Sequence, residues 1–283
     1  MNKIISKVQL SKDVFLLEVE APYIAKERKA GQFIILQLGD DYDERIPLTI
    51  ADADEEKGTI CLLFQAVGAT TYKLSLLEEG DYIPNLLGPL GHPTDVRKYG
   101  KVVLVGGGIG VAPTYPIAKA MKAAGNEVRI ITGARTKDLL IFQDRMHSVD
   151  PDMIVITDDG TAGRKGLVTE PLKELCEEWK PDLVVAIGPT IMMKFCALTT
   201  KPYNIKTLVS LNTIMIDGTG MCGGCRVSIG GEMKFVCVEG PEFDGHLVDW
   251  DNMMMRQKIY KEREVEVDHK CRIRYTKEER GEV

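Results

Sequence analysis

At Lys101 the grammar of the chain changes. An apolar run from Lys101 to Val105 passes directly into Gly106-Gly107-Gly108-Ile109-Gly110-Val111-Ala112-Pro113 and then into an amphipathic stretch ending near Ala124. A buried strand that turns through glycines into a helix opens a doubly wound sheet, and the following pattern keeps the alternation. It predicts strands over Glu127 to Thr132, Met153 to Thr157, Leu183 to Ile187 and Ile205 to Leu208, with helices over Thr169 to Glu178 and Ile191 to Leu198. Buried strands alternating with helices form a parallel sheet, which fixes the architecture of this half of the chain.

The segment before Lys101 reads differently. Short runs at Lys3 to Leu10, Val14 to Glu20, Gln32 to Leu38, Ile46 to Ala51 and Thr59 to Val67 are broken by turn-rich pieces such as Glu55-Glu56-Lys57-Gly58, which predicts a small antiparallel β-barrel. One short helix, Tyr72 to Leu77, interrupts it. The expected organisation is therefore a barrel over 1–98, an α/β domain over 99–210, a cysteine-bearing segment over 211–251 and a charged tail over 252–283.

A chain of 283 residues has room for two compact domains, and a net charge of -6 argues against a nucleic-acid surface. No apolar run is long enough to span a membrane, and Met1 to Leu10 lacks the pattern of a signal peptide. Seven cysteines, three of them clustered, suit a reducing cytoplasm better than a disulfide framework. Cys61, Cys176 and Cys196 lie in apolar patterns and read as core thiols, while Cys271 sits in the charged tail, unassigned. Met253, Met254 and Met255 suit either one turn of a buried helix or a docking surface.

Three segments carry the signature of nucleotide binding. Gly106, Gly107, Gly108 and Gly110 at the first strand-to-helix turn let a backbone approach a diphosphate, with Pro113 early in the helix. Asp158-Asp159-Gly160 and Gly188-Pro189 fall at the carboxyl ends of later strands, where open sheets bind ligands, and are expected on the nicotinamide side. In the barrel, Arg45-Ile46-Pro47-Leu48-Thr49 places a cation and a hydroxyl on one strand, and Gly68-Ala69-Thr70-Thr71 starts a helix with anion-binding geometry. Arg135 and Lys137, after the second strand of the sheet, suit a 2'-phosphate or solvent equally, so the sequence does not separate NAD from NADP.

The segment Asp217-Gly-Thr-Gly-Met-Cys222-Gly-Gly-Cys225, with Cys237 beyond it, has the x4, x2 ligand spacing of a [2Fe-2S] loop, with Asp217 where a first cysteine stands. A carboxylate ligates ferric iron as a harder donor. Two other readings use the same residues: a zinc site completed by Cys237 with His246 or Asp217, and a redox Cys-x2-Cys pair.

Together, Arg-x-Pro-Leu-Thr, Gly-x-Thr-Thr and Gly-Gly-Gly-Ile-Gly resemble the ferredoxin-NADP reductase superfamily over roughly residues 1–210. That resemblance implies that Arg45, Pro47, Leu48 and Thr49 contact the isoalloxazine of FAD, and that Gly68, Thr70 and Thr71 hold its diphosphate. The cysteine segment narrows the likeness to the electron-transfer subunits of dihydroorotate dehydrogenases. Those subunits carry cysteine at the place of Asp217. With Asp217 and the stretch Phe235 to His246, the chain resembles more closely the small subunits of NADH-dependent reduced ferredoxin:NADP oxidoreductases. The resemblance implies Asp217, Cys222, Cys225 and Cys237 as iron ligands, NAD(H) as substrate, and a larger partner subunit with a second FAD and [4Fe-4S] clusters that engages ferredoxin and NADP. Nicotinamides move two electrons as hydride and iron-sulfur clusters move one, so a flavin must stand between them. No Cys-x2-Cys-x2-Cys-x3-Cys run for [4Fe-4S] ligation occurs here, and the expected protein is one half of a hetero-oligomeric enzyme.

Overall fold

The computed structural model describes residues 2–39 and 43–279; residues 1, 40–42 and 280–283, parts of the expected barrel and tail, lie outside the described residues. Strands β1 (Asn2–Ser11), β2 (Val14–Glu20), β3 (Phe33–Gln37), β4 (Arg45–Asp54), β5 (Thr59–Gln65), β6 (Tyr82–Ile83) and β7 (Asn85–Leu90) form one sheet in the order β6-β1-β2-β5-β4-β3-β7. Every pairing in it is antiparallel. The sheet curls around Leu17, Ile34, Leu36, Ile50, Ile60, Leu62 and Phe64, and burial of each such side chain is worth about 1.5–3 kcal/mol. Helix α1 (Pro22–Glu27), unmarked in the sequence reading, starts on proline and buries only Ile24 and Ala25. Helix α2 (Ala69–Leu76) starts three residues earlier than expected.

The second sheet has the order β11-β10-β9-β8-β12-β13-β16. Its parallel part comprises β8 (Lys101–Gly107), β9 (Glu127–Ala134), β10 (Ile154–Thr157), β11 (Arg164–Lys165), β12 (Leu183–Ile187) and β13 (Lys206–Ser210). Val102 to Val105 and Leu183 to Ala186 are fully buried, as a strand covered on both faces requires. Helices α3 (Val111–Ala123), α4 (Gln143–Val149), α5 (Thr169–Glu178) and α6 (Thr190–Thr200) connect the strands. The chain order reverses between β8 and β12, which places the ligand crevice of a doubly wound sheet at their carboxyl ends.

After β13 comes an irregular loop, then the hairpin β14 (Arg226–Ile229) and β15 (Glu232–Phe235), the single turn α7 (Val236–Glu239), and β16 (Glu242–Asp244). Strand β16 adds antiparallel to β13, so the cysteine segment is sewn into the edge of the parallel sheet. The expected charged tail is two helices, α8 (Trp250–Gln257) and α9 (Lys261–Glu279). The methionine run is one turn of α8, with Met253 buried and Met255 61% exposed. Among the described residues no helix is long and apolar enough to cross a membrane.

Candidate functional site

The loop between β13 and β14 is shaped by left-handed glycines, Gly218 at φ 78°, Gly220 at φ 88° and Gly223 at φ 64°, conformations that side-chain-bearing residues avoid. They curl Asp217, Cys222 and Cys225 toward Cys237 on α7. The four donors stand as two pairs. Asp217 Oδ1 accepts from the Cys222 thiol at 3.2 Å, and the Cys225 and Cys237 sulfurs are 3.2 Å apart. Two donors on one tetrahedral metal sit about 3.5–3.8 Å apart for metal-sulfur distances near 2.3 Å, so each pair is pre-set for one metal of a binuclear cluster. Among the described residues no three His, Cys, Asp or Glu side chains gather to hold a single ion. His246, the alternative zinc ligand, instead lies 3.0 Å from Thr200 Oγ1 and 3.6 Å from an Asp244 oxygen. Donor pairing in two sets, one Asp–Cys and one Cys–Cys, favours the binuclear reading over mononuclear zinc.

The electrostatics agree with that donor set. Burial pushes the Asp217 carboxyl up, but hydrogen bonds from Cys222, Thr219 and the Met221 amide outweigh it and bring the carboxyl down to about 2. Its second oxygen accepts from the Met221 amide at 2.8 Å and from Thr219 Oγ1 at 2.9 Å, leaving an ionised, oriented carboxylate. Burial, then the hydrogen bond with Cys225, pushes the Cys237 thiol up to about 12. A thiolate there needs a strong Lewis acid to hold it. Backbone amides point at sulfur as well: Gly224 N lies 3.4 Å from Cys222 Sγ, and Cys237 N 3.4 Å from Cys225 Sγ.

The cluster loop rests on the barrel. A Cβ at Gly218 would fall 2.7 Å from both Ile35 and Leu90, and Ile35 is the cross-strand partner of Pro47. Arg45 Nη2 donates to the Asp217 carbonyl at 3.4 Å, while its Nε is buried without a hydrogen-bond partner. An orphaned guanidinium nitrogen beside Pro47 and Thr49 fits a ligand rich in acceptors, such as a flavin ring. Strand alternation puts Arg45, Pro47 and Thr49 on one face. Leu48 packs against the barrel core.

At the start of α2 no protein atom lies within 4 Å of where a Gly68 Cβ would stand. Thr71 Oγ1 accepts from the amides of Gly68 (3.0 Å) and Val67 (3.1 Å), and buried Thr70 donates to Glu44. Both hydroxyls shape the turn, and the first-turn amides are what it presents to an anion.

Gly107, Gly110 and Gly188 meet at the crevice of the parallel sheet. A Cβ on Gly110 would strike the Ile187 carbonyl at 2.3 Å, and one on Gly107 the Met192 sulfur at 2.2 Å. Gly188 lies against Gly107, with Pro189 beside it. Gly106 packs on Val111, Pro113 is in the first turn of α3, and Gly108, at φ 55°, faces open space. Asp158, Asp159 and Gly160 follow β10, with β9 between them and β8, and Asp159 is engaged with Thr161 (2.9 and 2.7 Å). The structure thus brings Gly188 and Pro189 to the crevice and sets Asp158 to Gly160 two strands away. Met192 over the crevice and Glu44 under Thr70 carry no motif that a sequence scan would find. Burial pushes the Cys176 thiol up to about 11 and the Cys196 thiol up to about 12, as inert core positions.

Two family models match this geometry: an oxidoreductase NAD-binding domain over residues 104–197, and the iron-sulfur cluster binding domain of dihydroorotate dehydrogenase B over residues 212–249. A Thermotoga maritima protein named as a homologue of the dihydroorotate dehydrogenase B (NAD(+)) electron transfer subunit is 49% identical over 264 residues, covering 93% of each chain. The chain belongs to this family. A Desulforamulus reducens electron transfer subunit of dihydroorotate dehydrogenase B is 32% identical over 88% of this chain and 97% of its own. Among solved structures, a chain of the NADH-dependent reduced ferredoxin-NADP oxidoreductase, described for flavin-based electron bifurcation, is 46% identical with a TM-score of 0.92, covering 96% of this chain and 98% of its own. A Neisseria gonorrhoeae ferredoxin NADP+ reductase with bound FAD and NADP shares the fold at 18% identity and a TM-score of 0.60, covering 72% of this chain and 90% of its own. The barrel, parallel sheet and cluster segment are those of an NAD(P)H-dependent flavin and iron-sulfur oxidoreductase.

Proposed function

We propose that the chain is the small subunit of an electron-bifurcating NADH-dependent reduced ferredoxin:NADP oxidoreductase, with a larger flavin- and [4Fe-4S]-bearing partner. Bound to this chain, FAD converts between paired and single electrons and the cluster carries single electrons. The residues do the positioning. Arg45, Pro47 and Thr49 offer a face for the flavin ring, and the first turn of α2 offers amides to the diphosphate. The crevice of Gly107, Gly108, Gly188 and Pro189 suits the nicotinamide nucleotide, and Asp217, Cys222, Cys225 and Cys237 suit the two irons.

The observation that carries this reading is Asp217 paired with Cys222 at 3.2 Å, a carboxylate in the first ligand position. The 46% identity to the bifurcating oxidoreductase supports it. The names of the relatives favour a second reading, service to a dihydroorotate dehydrogenase. A coupled assay separates the two. The isolated chain should reduce artificial dyes with NADH, and reduction of NADP by ferredoxin and NADH should begin only when the larger subunit is added. Dihydroorotate oxidation by the native complex would favour the second reading.

A further inference from the structure

Helices α8 and α9 lie beyond both family-model matches, the second of which ends at residue 249. Helix α8 belongs to the cluster side: Arg256 Nη2 donates to the Gly224 carbonyl at 3.2 Å, and Gln257 Nε2 to the Asn212 carbonyl at 2.6 Å. Helix α9 then runs exposed from Lys261 to Val267 and touches the protein again with Cys271, Arg272 and Tyr275, one helical face by spacing. Their partners include Ala66, Ala69 and Tyr72. Arg272 Nη2 donates to the Ala66 carbonyl at 2.9 Å, its guanidinium lies 4.4 Å over the Tyr72 ring, and Asp268 grips its Nε at 3.0 and 3.1 Å. Tyr275 meets Tyr72 edge-on with centroids 6.2 Å apart, and Cys271 Sγ is 4.0 Å from the Ala69 carbonyl.

Residues 66–68 lead from β5 into α2, and residues 69–72 are its first turn. Internally this stretch is held by Thr71, and Val67 within it is 69% exposed. An eight-residue helix is too short to hold its own first turn, so its geometry depends on what packs on it. We propose that α9 is a strap across this turn and that Arg272 is a positioning residue for the adenosine-diphosphate half of the flavin nucleotide. The inference rests on the placement of the FAD diphosphate at α2. A planar fork that bonds Ala66 and Asp268 while stacking on Tyr72 is specific to arginine; lysine keeps the charge and loses the stack and the fork. The strap also joins the two redox sites through one polypeptide segment, with Arg256 on the cluster loop and Arg272 on the flavin turn.

The test is titration of flavin-free full-length protein with FAD and, separately, riboflavin, which lacks both phosphates and the adenosine. Arg272→Ala should weaken FAD at least tenfold, with Arg272→Lys between it and the parent. Riboflavin binding should stay within twofold, and the cluster absorbance should persist. Equal losses for both flavins would reduce α9 to general fold support and overturn the proposal, as would unchanged FAD binding. If Arg272→Ala does not fold, Tyr275→Leu, which removes only the edge contact on Tyr72, carries the same comparison. The Thr70→Ala/Thr71→Ala double variant separates the two levels. Selective FAD loss there but not in Arg272→Ala leaves the flavin placement standing and removes the strap; no selective loss in either removes the placement too.

Discussion

Arg45 Nη2 reaches the backbone carbonyl of Asp217 at 3.4 Å, so the strand proposed to face the flavin and the loop proposed to hold the cluster share a side chain. Gly218 packed on Ile35 and Leu90 makes the same junction through apolar contact. The cysteine loop is thus seated directly on β3, β4 and β7 of the barrel.

Arg45→Ala should disturb both centres. Loss of a charge-assisted hydrogen bond is worth about 1.5–3 kcal/mol, which corresponds to at least a tenfold weaker FAD. Flavin titration and the cluster potential should move together. A variant with altered flavin affinity and an unmoved cluster potential would separate the two sites.

Asp217→Cys should keep a [2Fe-2S] spectrum and lower the reduction potential, on the order of 100 mV, because a thiolate donates more charge to oxidised iron than a carboxylate. Protein-film voltammetry measures it. An Asp217→Ala protein with unchanged iron content, spectrum and potential would make Asp217 an ordinary turn aspartate.

Truncating Thr70 and Thr71 together should release FAD while the cluster stays bound, since Thr71 bonds the Gly68 amide and Thr70 anchors to Glu44. Flavin absorbance after gel filtration reads the outcome. Full flavin retention would contradict the placement.

Glu242 on β16 accepts from Thr94 Oγ1 at 2.6 Å, where the barrel, the parallel sheet and the cluster segment meet. Burial raises its carboxyl to about 7, only partly offset by the Thr94 bond. A carboxyl raised in the folded state stabilises the fold while protonated. That contribution is complete below the ordinary value of 4.5 and is lost as the pH rises through about 7, at about 1.4 kcal/mol per pH unit across the window. Urea unfolding at pH 5.5 and pH 8 should therefore show Glu242→Gln gaining on the parent at the higher pH. Parallel pH profiles for the two proteins would contradict this.

Most of the parallel sheet is legible in the sequence, because long apolar strands alternate with amphipathic helices; α5 and β12 fall at the expected residues. The glycine turn is legible, and its glycines also serve close packing. Gly110 and Gly188 meet the backbone of the facing turn and Gly107 the Met192 side chain, while Gly108 faces open space. Leu48, between Pro47 and Thr49, is partly buried against the barrel core, as strand alternation sets it on the opposite face from them. Helix α9 was unreadable as a packed element because its docking face, Cys271, Arg272 and Tyr275, contains no hydrophobic repeat. Strand β16 escaped for lack of length: three residues carry no period.

The most direct test is the cofactor content of the purified chain, measured together with the electron paramagnetic resonance of the protein reduced anaerobically with NADH. Donors arranged as Asp217 with Cys222 and Cys225 with Cys237 predict two irons, two acid-labile sulfides and one FAD per chain, with a rhombic [2Fe-2S] signal that appears on NADH addition. One zinc, no labile sulfide and no signal would contradict the account.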